Sequence, residues 1–333
     1  MAVKAVHGIK NIDEEKWEAF VARHPAGNAF QRPDMYRVFE ETANYTPYVA
    51  AVVDEAGDIK GIMLGVRICN GRSLLCRMTA RVIVWGGPLV VDDKHLPLLL
   101  RTFTGLVKKD AVYCEIRNLK VHKRGQRQLF EKEGYGYFPH LNIVVDVRKS
   151  EKGLMAETDA SKRRNIKKAI KEGLIFGKIE KEEEVEEAYV ILREVYKKAK
   201  LPLSDISLFR ALFRKKDICR FYKVSFGDEM AAVMVALINS DNVYEWYVGA
   251  KQDFYPKRPN EFLVWNVMLE AKKEGKSFFD FGGAGKPDEE YGVRKFKKGF
   301  GGEIVETGRY RIVFDKLAWL LGSTAVKMRK RLK

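Results

Sequence analysis

Two runs of strand-forming sequence, 45–68 and 219–250, limit what this chain can fold into more than any other feature. In the first, TPYVAAVVD and IKGIMLGVRIC flank the turn sequence DEAGD. In the second, ICRFYKVSF, EMAAVMVALIN and NVYEWYVGA are separated only by tight GD and SDN turns. β-Branched and aromatic residues broken only by short turn signals read as antiparallel hairpins. Helical sequences precede each run. Residues 13–24 place Trp17, Phe20 and Val21 at helical spacing, and 33–44 begin on Pro33, a residue suited to a first helical turn. Residues 161–173 carry Ser161 as a candidate N-cap and Gly173 as a C-cap, and EEVEEAYVILREVYKKA and SDISLFRALFRK follow. After each run come a helix and more strand: 94–109 then AVYCEIRNL, and 260–274 then SFFDF. LNIVVDV is expected to close the first half and GGEIVETGRYRIVF the second. The repeated order predicts a duplicated mixed α/β unit, and 333 residues suit two domains.

Sixty-one Lys and Arg against 45 Asp and Glu leave a formal charge of +16, which favours polyanionic partners such as tRNA, nucleotide phosphates or an acidic membrane leaflet. Residues 309–333 hold eight basic side chains and one acidic. No run of 18 apolar residues is present, and the N-terminus turns acidic early. The chain therefore reads as lacking a spanning helix, a secretory signal and a transit peptide. Cys69, Cys76, Cys114 and Cys219 have no CxxC or CxxH spacing and read as reduced thiols. The five histidines are scattered, and no HExxH, GxSxG or Walker sequence occurs. A metal enzyme or serine-triad hydrolase is not expected, and no cofactor is implied.

Four segments remain as candidate sites. In 276–302 a hydrophobic strand runs into Asp280-Phe281-Gly282-Gly283. A polar loop then leads to a glycine- and lysine-rich stretch containing Arg294, Phe296 and Lys297. Such a stretch either brings backbone and an ammonium close to developing negative charge or is a glycine-rich hairpin with solvated lysines. Lys251, Lys257 and Arg258 precede the helix opened by Pro259-Asn260, where cations and free N–H groups would suit a phosphate. Lys162, Arg163, Arg164, Lys167, Lys168 and Lys171 recur at helical spacing; such a face either tracks a nucleic-acid backbone or is simply solvated. The tail sets Leu317, Trp319, Leu320 and Leu321 before a cationic cluster. That suits either an anionic bilayer surface or packing on the protein.

Taken in order, several motifs resemble the Fem (FemABX) family of peptidoglycan interpeptide-bridge transferases. They are Asn28-Ala29-Phe30-Gln31-Arg32-Pro33, Trp85-Gly86-Gly87-Pro88, SKRRNIKKAIKEG, Tyr247-Val248-Gly249-Ala250, Pro259-Asn260, Asp280-Phe281-Gly282-Gly283 and Phe296-Lys297 with Phe300-Gly301-Gly302. The resemblance spans nearly the whole chain. It implies two tandem GNAT-like domains without a helical arm: an acceptor-side domain 1–150, a catalytic domain 151–312 and a basic terminal helix 313–333. It implies an enzyme that moves an amino acid from aminoacyl-tRNA to an amine of a peptidoglycan precursor peptide, nucleotide-linked or lipid-linked. The setting would be the cytoplasm, with peripheral contact at the inner face of the plasma membrane through 315–333. Lys297 would then stabilise the oxyanion and Phe296 would position the acyl ester. Arg37, Tyr247, Asp280, Gly282, Gly283, Arg294, Lys257 and Arg258 would contact substrate, and Arg163, Arg164, Lys167 and Lys168 the tRNA.

The chain departs from the family at two positions. The family's nucleotide-phosphate lysine aligns with Phe39, leaving Arg37 as the nearest cation, and its partner arginine falls near Ser204 and Asp205. Two other readings stay open. One is an acyl-CoA-dependent enzyme of the same fold, disfavoured because KQDFYPKRPN lacks the glycines of a pyrophosphate seat. The other is a non-enzymatic basic module that binds nucleic acid or membrane.

Overall fold

The computed structural model describes residues 2–69, 76, 79–122 and 124–331. Its strands are, in chain order, β1 (Val3–His7), β2 (Tyr45–Asp54), β3 (Ile59–Ile68), β4 (Arg81–Trp85), β5 (Leu89–Val90), β6 (Tyr113–Arg117), β7 (Gly136–Phe138), β8 (Leu141–Asp146), β9 (Ile175–Lys178), β10 (Cys219–Phe226), β11 (Glu229–Ile238), β12 (Asn242–Ala250), β13 (Phe278–Gly283), β14 (Glu303–Glu306) and β15 (Arg309–Val313). They form two sheets of the same plan. The first runs β1-β2-β3-β4-β6-β15-β7, with β5 on β3, and the second runs β9-β10-β11-β12-β13-β8-β14. In each, four antiparallel strands are followed by a parallel partner, β6 on β4 and β13 on β12. The duplication expected from the sequence is therefore present strand for strand.

The boundaries differ from those expected. One compact unit comprises 1–139 with 307–333, and the other comprises 140–306. β8, expected to close the first half, pairs with β13 and β14 in the second sheet. β15, expected to close the second, pairs with β6 and β7 in the first. Each half thus lends its closing strand to the other's sheet, an exchange that periodicity within a strand cannot reveal because the inward and outward pattern is the same in either sheet.

Each unit has its own apolar core. In the first, Leu99, Leu100 and Phe103 of the helix Leu96–Val107 pack on β2, β3 and β4 with Phe130 and Tyr135. In the second, Leu263, Val264, Val267 and Met268 of the helix Pro259–Lys273 pack on β10–β13 with Ile166 and Phe300.

Two of the recognised motifs form one structural joint in the first unit. The Gln31 amide donates to the carbonyls of Leu64 and Trp85 and accepts from the Leu64 N–H, all at 2.8–2.9 Å. Asn28 donates to the Gly86 carbonyl. Gly87 is needed there, because a Cβ at that position would lie 2.6 Å from the Gln31 side chain. These motifs are read as holding β3, β4 and the segment before the helix Pro33–Glu41 together, since every polar group of the buried Gln31 amide is satisfied.

Cys69 and Cys76 are joined by a disulfide, with Cα atoms 5.2 Å apart. This corrects the reading of all four cysteines as thiols: β3 and β4 are antiparallel neighbours, so the chain returns to itself without any CxxC spacing. Cys114 and Cys219 are free and buried.

Candidate active site

β12 and β13 form a ladder that opens partway. Parallel pairing joins Asn242–Tyr244 to Phe278–Asp280 and then stops, although β12 runs on to Ala250 and β13 to Gly283. In the first sheet the corresponding pair, β4 with β6, stays in register from Arg81↔Tyr113 to Trp85↔Arg117. Two local features part the second pair. A bulge places Trp246 between the β12 residues that face Val235 and Ala236. On β13, Gly282 has φ +66°, and a Cβ there would meet the Tyr244 hydroxyl at 2.8 Å. The Asp280 carboxylate accepts the Gly282 N–H at 2.7 Å and fixes the bend.

Lys297 fills the fork between the two strands. It lies on the helix Gly292–Lys298, inside the segment expected as a polar loop or hairpin, and is 8% exposed. Its ammonium donates to the carbonyls of Phe281 and Gly283 on β13 and pairs with Glu245 Oε1 on β12 at 3.2 Å. Those three partners match the three donors of an ammonium. Glu245 is 6% exposed, and burial pushes its carboxyl above the ordinary range while the Lys297 charge opposes that shift. Glu245 belongs to none of the four candidate segments or the family motifs. The period-two pattern of β12 could have shown it, because Val243 and Glu245 are buried while Asn242, Tyr244 and Trp246 between and beside them are only half-buried.

The remaining candidate residues take different roles. Phe296 packs on the core of its unit, and its ring receives the ammonium of Lys162 at 3.5 Å. Lys162 therefore points inward, toward Phe296, Phe300 and Glu261, which it meets at 3.1 Å, and leaves the expected basic face. Burial lowers its pKa, with Glu261 opposing and nearby Arg258 adding to the shift. Arg163 turns back to the carbonyls of Thr158 and Ala156 at the start of the helix Ala160–Lys171. Arg164, Lys167, Lys168 and Lys171 are exposed.

Arg294 is spent on the carbonyls of Ala284, Lys286 and Pro287 and shapes the loop before the Lys297 helix. Tyr247 is buried, its hydroxyl 2.8 Å from Ser204 Oγ and its ring against Phe209 and Tyr196. Gly283 contributes its carbonyl to Lys297.

The expected phosphate seat before Pro259 is largely neutralised. Lys257 pairs with Glu172 at 2.8 Å, holding that carboxyl below its usual range, and Lys251 faces Glu187 and Glu229. Arg258, at φ +66°, is exposed and pairs with no carboxylate among the described residues. In the first unit, Arg37 is held by Glu14 at 2.6 Å and Glu40 at 3.2 Å. Phe39 is in the core against Trp85, and Asp205 caps the helix Ile206–Phe213. No group of three or more metal-ligating side chains occurs among the described residues. Nor is any of their helices long and apolar enough to cross a membrane.

Residues 159–297 match the family model of an acetyltransferase (GNAT) domain. None of the curated proteins matches this chain. Among solved structures, the chain is similar to FemX, at 15% identity and a TM-score of 0.72, over 96% of this chain and 99% of that one. It is also similar to L-PGS from Bacillus licheniformis, at 16% identity and a TM-score of 0.58, over 91% and 92%. A tandem GNAT protein from the clavulanic acid biosynthesis pathway aligns at 13% identity and a TM-score of 0.60, over 94% and 99%. These likenesses bear out the two tandem GNAT-like domains and, at the level of fold, the Fem-type resemblance read from the motifs.

Proposed function

We propose, for a chain with tandem GNAT-like domains in the Fem-type arrangement, that it transfers an aminoacyl group from aminoacyl-tRNA to an amine of a peptidoglycan precursor peptide. One observation carries this reading: a buried ammonium bridges the two strands where a parallel ladder opens. A donor whose carbonyl enters the fork meets a fixed positive charge in a site screened from water. Positive charge so placed stabilises a tetrahedral oxyanion far more than it would in water. Orientation and electrostatics then do most of the chemistry, with no enzyme-bound acyl group required.

The charge distribution favours tRNA over acyl-CoA. Arg164, Lys167, Lys168 and Lys171 form an exposed basic face, whereas the lysines before Pro259 are already paired with carboxylates and the turn has no glycine. The acceptor is better read as lipid-linked than nucleotide-linked, since Phe39 is core and Ser204 and Asp205 serve Tyr247 and a helix cap. The helix Lys316–Arg331 supports that choice. Trp319 turns inward against Tyr113 and Arg311, while Leu317, Leu320 and Leu321 are 70%, 61% and 54% exposed ahead of the basic tail. Three leucines at helical spacing beside cations suit the surface of an anionic bilayer, which would place the protein at the inner face of the plasma membrane.

Incubation with charged tRNA and a lipid-linked pentapeptide should add one amino-acid mass to the acceptor. Addition of an acyl mass from acyl-CoA alone, with charged tRNA inert, would favour the other donor. Substituting Leu317, Leu320 and Leu321 together by serine should cut binding to anionic vesicles by more than tenfold, read by sedimentation. Undiminished binding would remove the membrane part of the reading.

A further inference from the structure

Three neighbouring strands of the first sheet, β4, β6 and β15, set four arginines on one face. Across the register, Trp85 stands beside Arg117 and Arg309, Ile83 beside Glu115 and Arg311, and Arg81 beside Tyr113 and Val313. Residues paired in register share a face, and every second residue along a strand returns to it. Arg81, Arg117, Arg309 and Arg311 therefore project to the same side as Glu115. Glu115 is the one acidic residue within these three strands. Arg117 and Arg309 are direct cross-strand neighbours, a pairing of like charges that is unfavourable by itself. One carboxylate cannot neutralise four guanidinium groups.

The cluster is held in place but not saturated. Arg117 gives Glu115 its Nε–H, and Arg311 gives it an Nε–H and an Nη2–H. Both Nη groups of Arg117 and Nη1 of Arg311 have no hydrogen-bond partner among the described residues, and Arg81 has no ion pair among them. Aromatic rings fix the guanidinium planes. Trp85 lies 5.6 Å from that of Arg117, and Phe138 and Trp319 each lie 4.7 Å from that of Arg311. Burial raises the pKa of the Tyr113 phenol; Arg81, Arg117 and Arg311 all oppose that rise while Glu115 adds to it, so three of the charges meet at this ring. The side chains of Arg117, Arg309 and Arg311 are 32%, 27% and 22% exposed, so a small anion reaches them with only partial solvent screening.

We propose that Arg117 and Arg311, backed by Arg81 and Arg309, form a seat for a phosphate group, with Glu115 as the buried anchor that sets the guanidinium forks. Planar forks with N–H groups to spare match the oxygens of a phosphate. A dianion, as a phosphomonoester or pyrophosphate, offsets more of the excess charge than a carboxylate does. The seat adjoins the helix Lys316–Arg331: Trp319 lies on Arg311 and Tyr113, and the same helix carries the exposed Leu317, Leu320 and Leu321. A phosphate borne by a lipid headgroup therefore suits the seat better than a free one. That source, though not the seat itself, rests on the membrane reading above. Binding here needs no acyl transfer and is measured without it.

The test uses the full chain and inorganic pyrophosphate at constant ionic strength. Pyrophosphate should raise the melting temperature of wild type and bind it with a Kd measurable by calorimetry. R117Q, which leaves Arg309 and Arg311 on Glu115, should weaken that Kd by about tenfold or more, the loss of a charge-assisted pair. K109Q removes one exposed charge elsewhere in the same unit and should leave the Kd almost unmoved. Equal losses in R117Q and K109Q, or no binding by wild type, overturn the proposal. Should R117Q fail to fold, R81Q decides, since it breaks no ion pair among the described residues; an unchanged Kd in R81Q then overturns the proposal. Vesicles separate the two sources of phosphate. Stronger retention on phosphatidic acid than on phosphatidylglycerol at equal surface charge, lost in R117Q and competed by pyrophosphate, supports the seat with a lipid in it. Retention indifferent to R117Q, with pyrophosphate binding still sensitive to it, supports the seat and assigns it a soluble phosphate. Loss of tRNA binding in R117Q with pyrophosphate binding unmoved overturns the seat in favour of a nucleic-acid face.

Discussion

Replacing Lys297 by methionine should lower the transfer rate by about 10²–10³-fold, the usual effect of deleting a donor aimed at a developing oxyanion. Donor binding should change far less, because the charge acts on the transition state more than on the ground state. Single-turnover kinetics would separate the two. The same substitution should leave a second mark, on stability. Glu245 loses its counter-ion but stays buried, so its folded-state pKa lies above the unfolded value even further than in wild type. A carboxyl raised in that sense favours folding below the unfolded pKa, and that contribution is lost as pH rises toward the folded one. K297M should therefore be clearly more stable in mild acid than at neutral pH, with urea midpoints moving in the direction opposite to ordinary acid denaturation. A flat profile with full activity would remove Lys297 from the chemistry.

The second large effect concerns the exchanged strand of the first sheet. Glu115 on β6 is 3% exposed and is met by Arg117 at 2.8 Å, by Arg309 at 3.3 Å and by Arg311. Burial raises its pKa, but the three guanidinium groups outweigh burial and hold the carboxyl down at about 2. Arg309 and Arg311 lie on β15, so this carboxylate fastens the strand that returns from the far end of the chain. Substituting Glu115 by alanine leaves three cations facing one another in a partly dry setting. Breaking a buried ion network in this way costs about 3–5 kcal/mol. Because the folded pKa is depressed, the stabilisation is complete above the unfolded carboxyl pKa and drains away as pH falls toward about 2. Urea unfolding at neutral pH and at pH about 3 measures both. Wild type should lose stability between those pH values and E115A should lose less, whereas equal losses would show that Glu115 does not hold β15.

How much of this was readable beforehand depended on how local the cause was. The hairpins of β2–β3 and β10–β12 follow from alternation and turn residues, so they appear in the sequence as they do in the fold. The exchange of β8 and β15 depends on which sheet edge each strand meets after a long excursion, and nothing in LNIVVDV or GRYRIVF encodes that choice. Lys297 was recognised through its neighbours in the motif, but its helix was not, because glycines on both sides masked the short turn Gly292–Lys298. In the basic helix, spacings of three and four put many of the cations on one face. In the structure its first turn serves the fold, with Lys162 over Phe296 and Arg163 on the Thr158 carbonyl, and only later positions are exposed. A single acidic residue in an aromatic strand carries no motif, so nothing local marks Glu245. Its significance comes from the bulge at Trp246 and from the lysine that arrives from a separate helix.

The most direct test of the account is a crystal structure with a non-hydrolysable donor, an aminoacyl group joined by an amide to the terminal nucleoside of tRNA. The account predicts the acyl carbonyl oxygen within hydrogen-bond distance of Lys297 Nζ, between β12 and β13. An acyl group bound elsewhere, with Lys297 still closed on Glu245, Phe281 and Gly283, would contradict it.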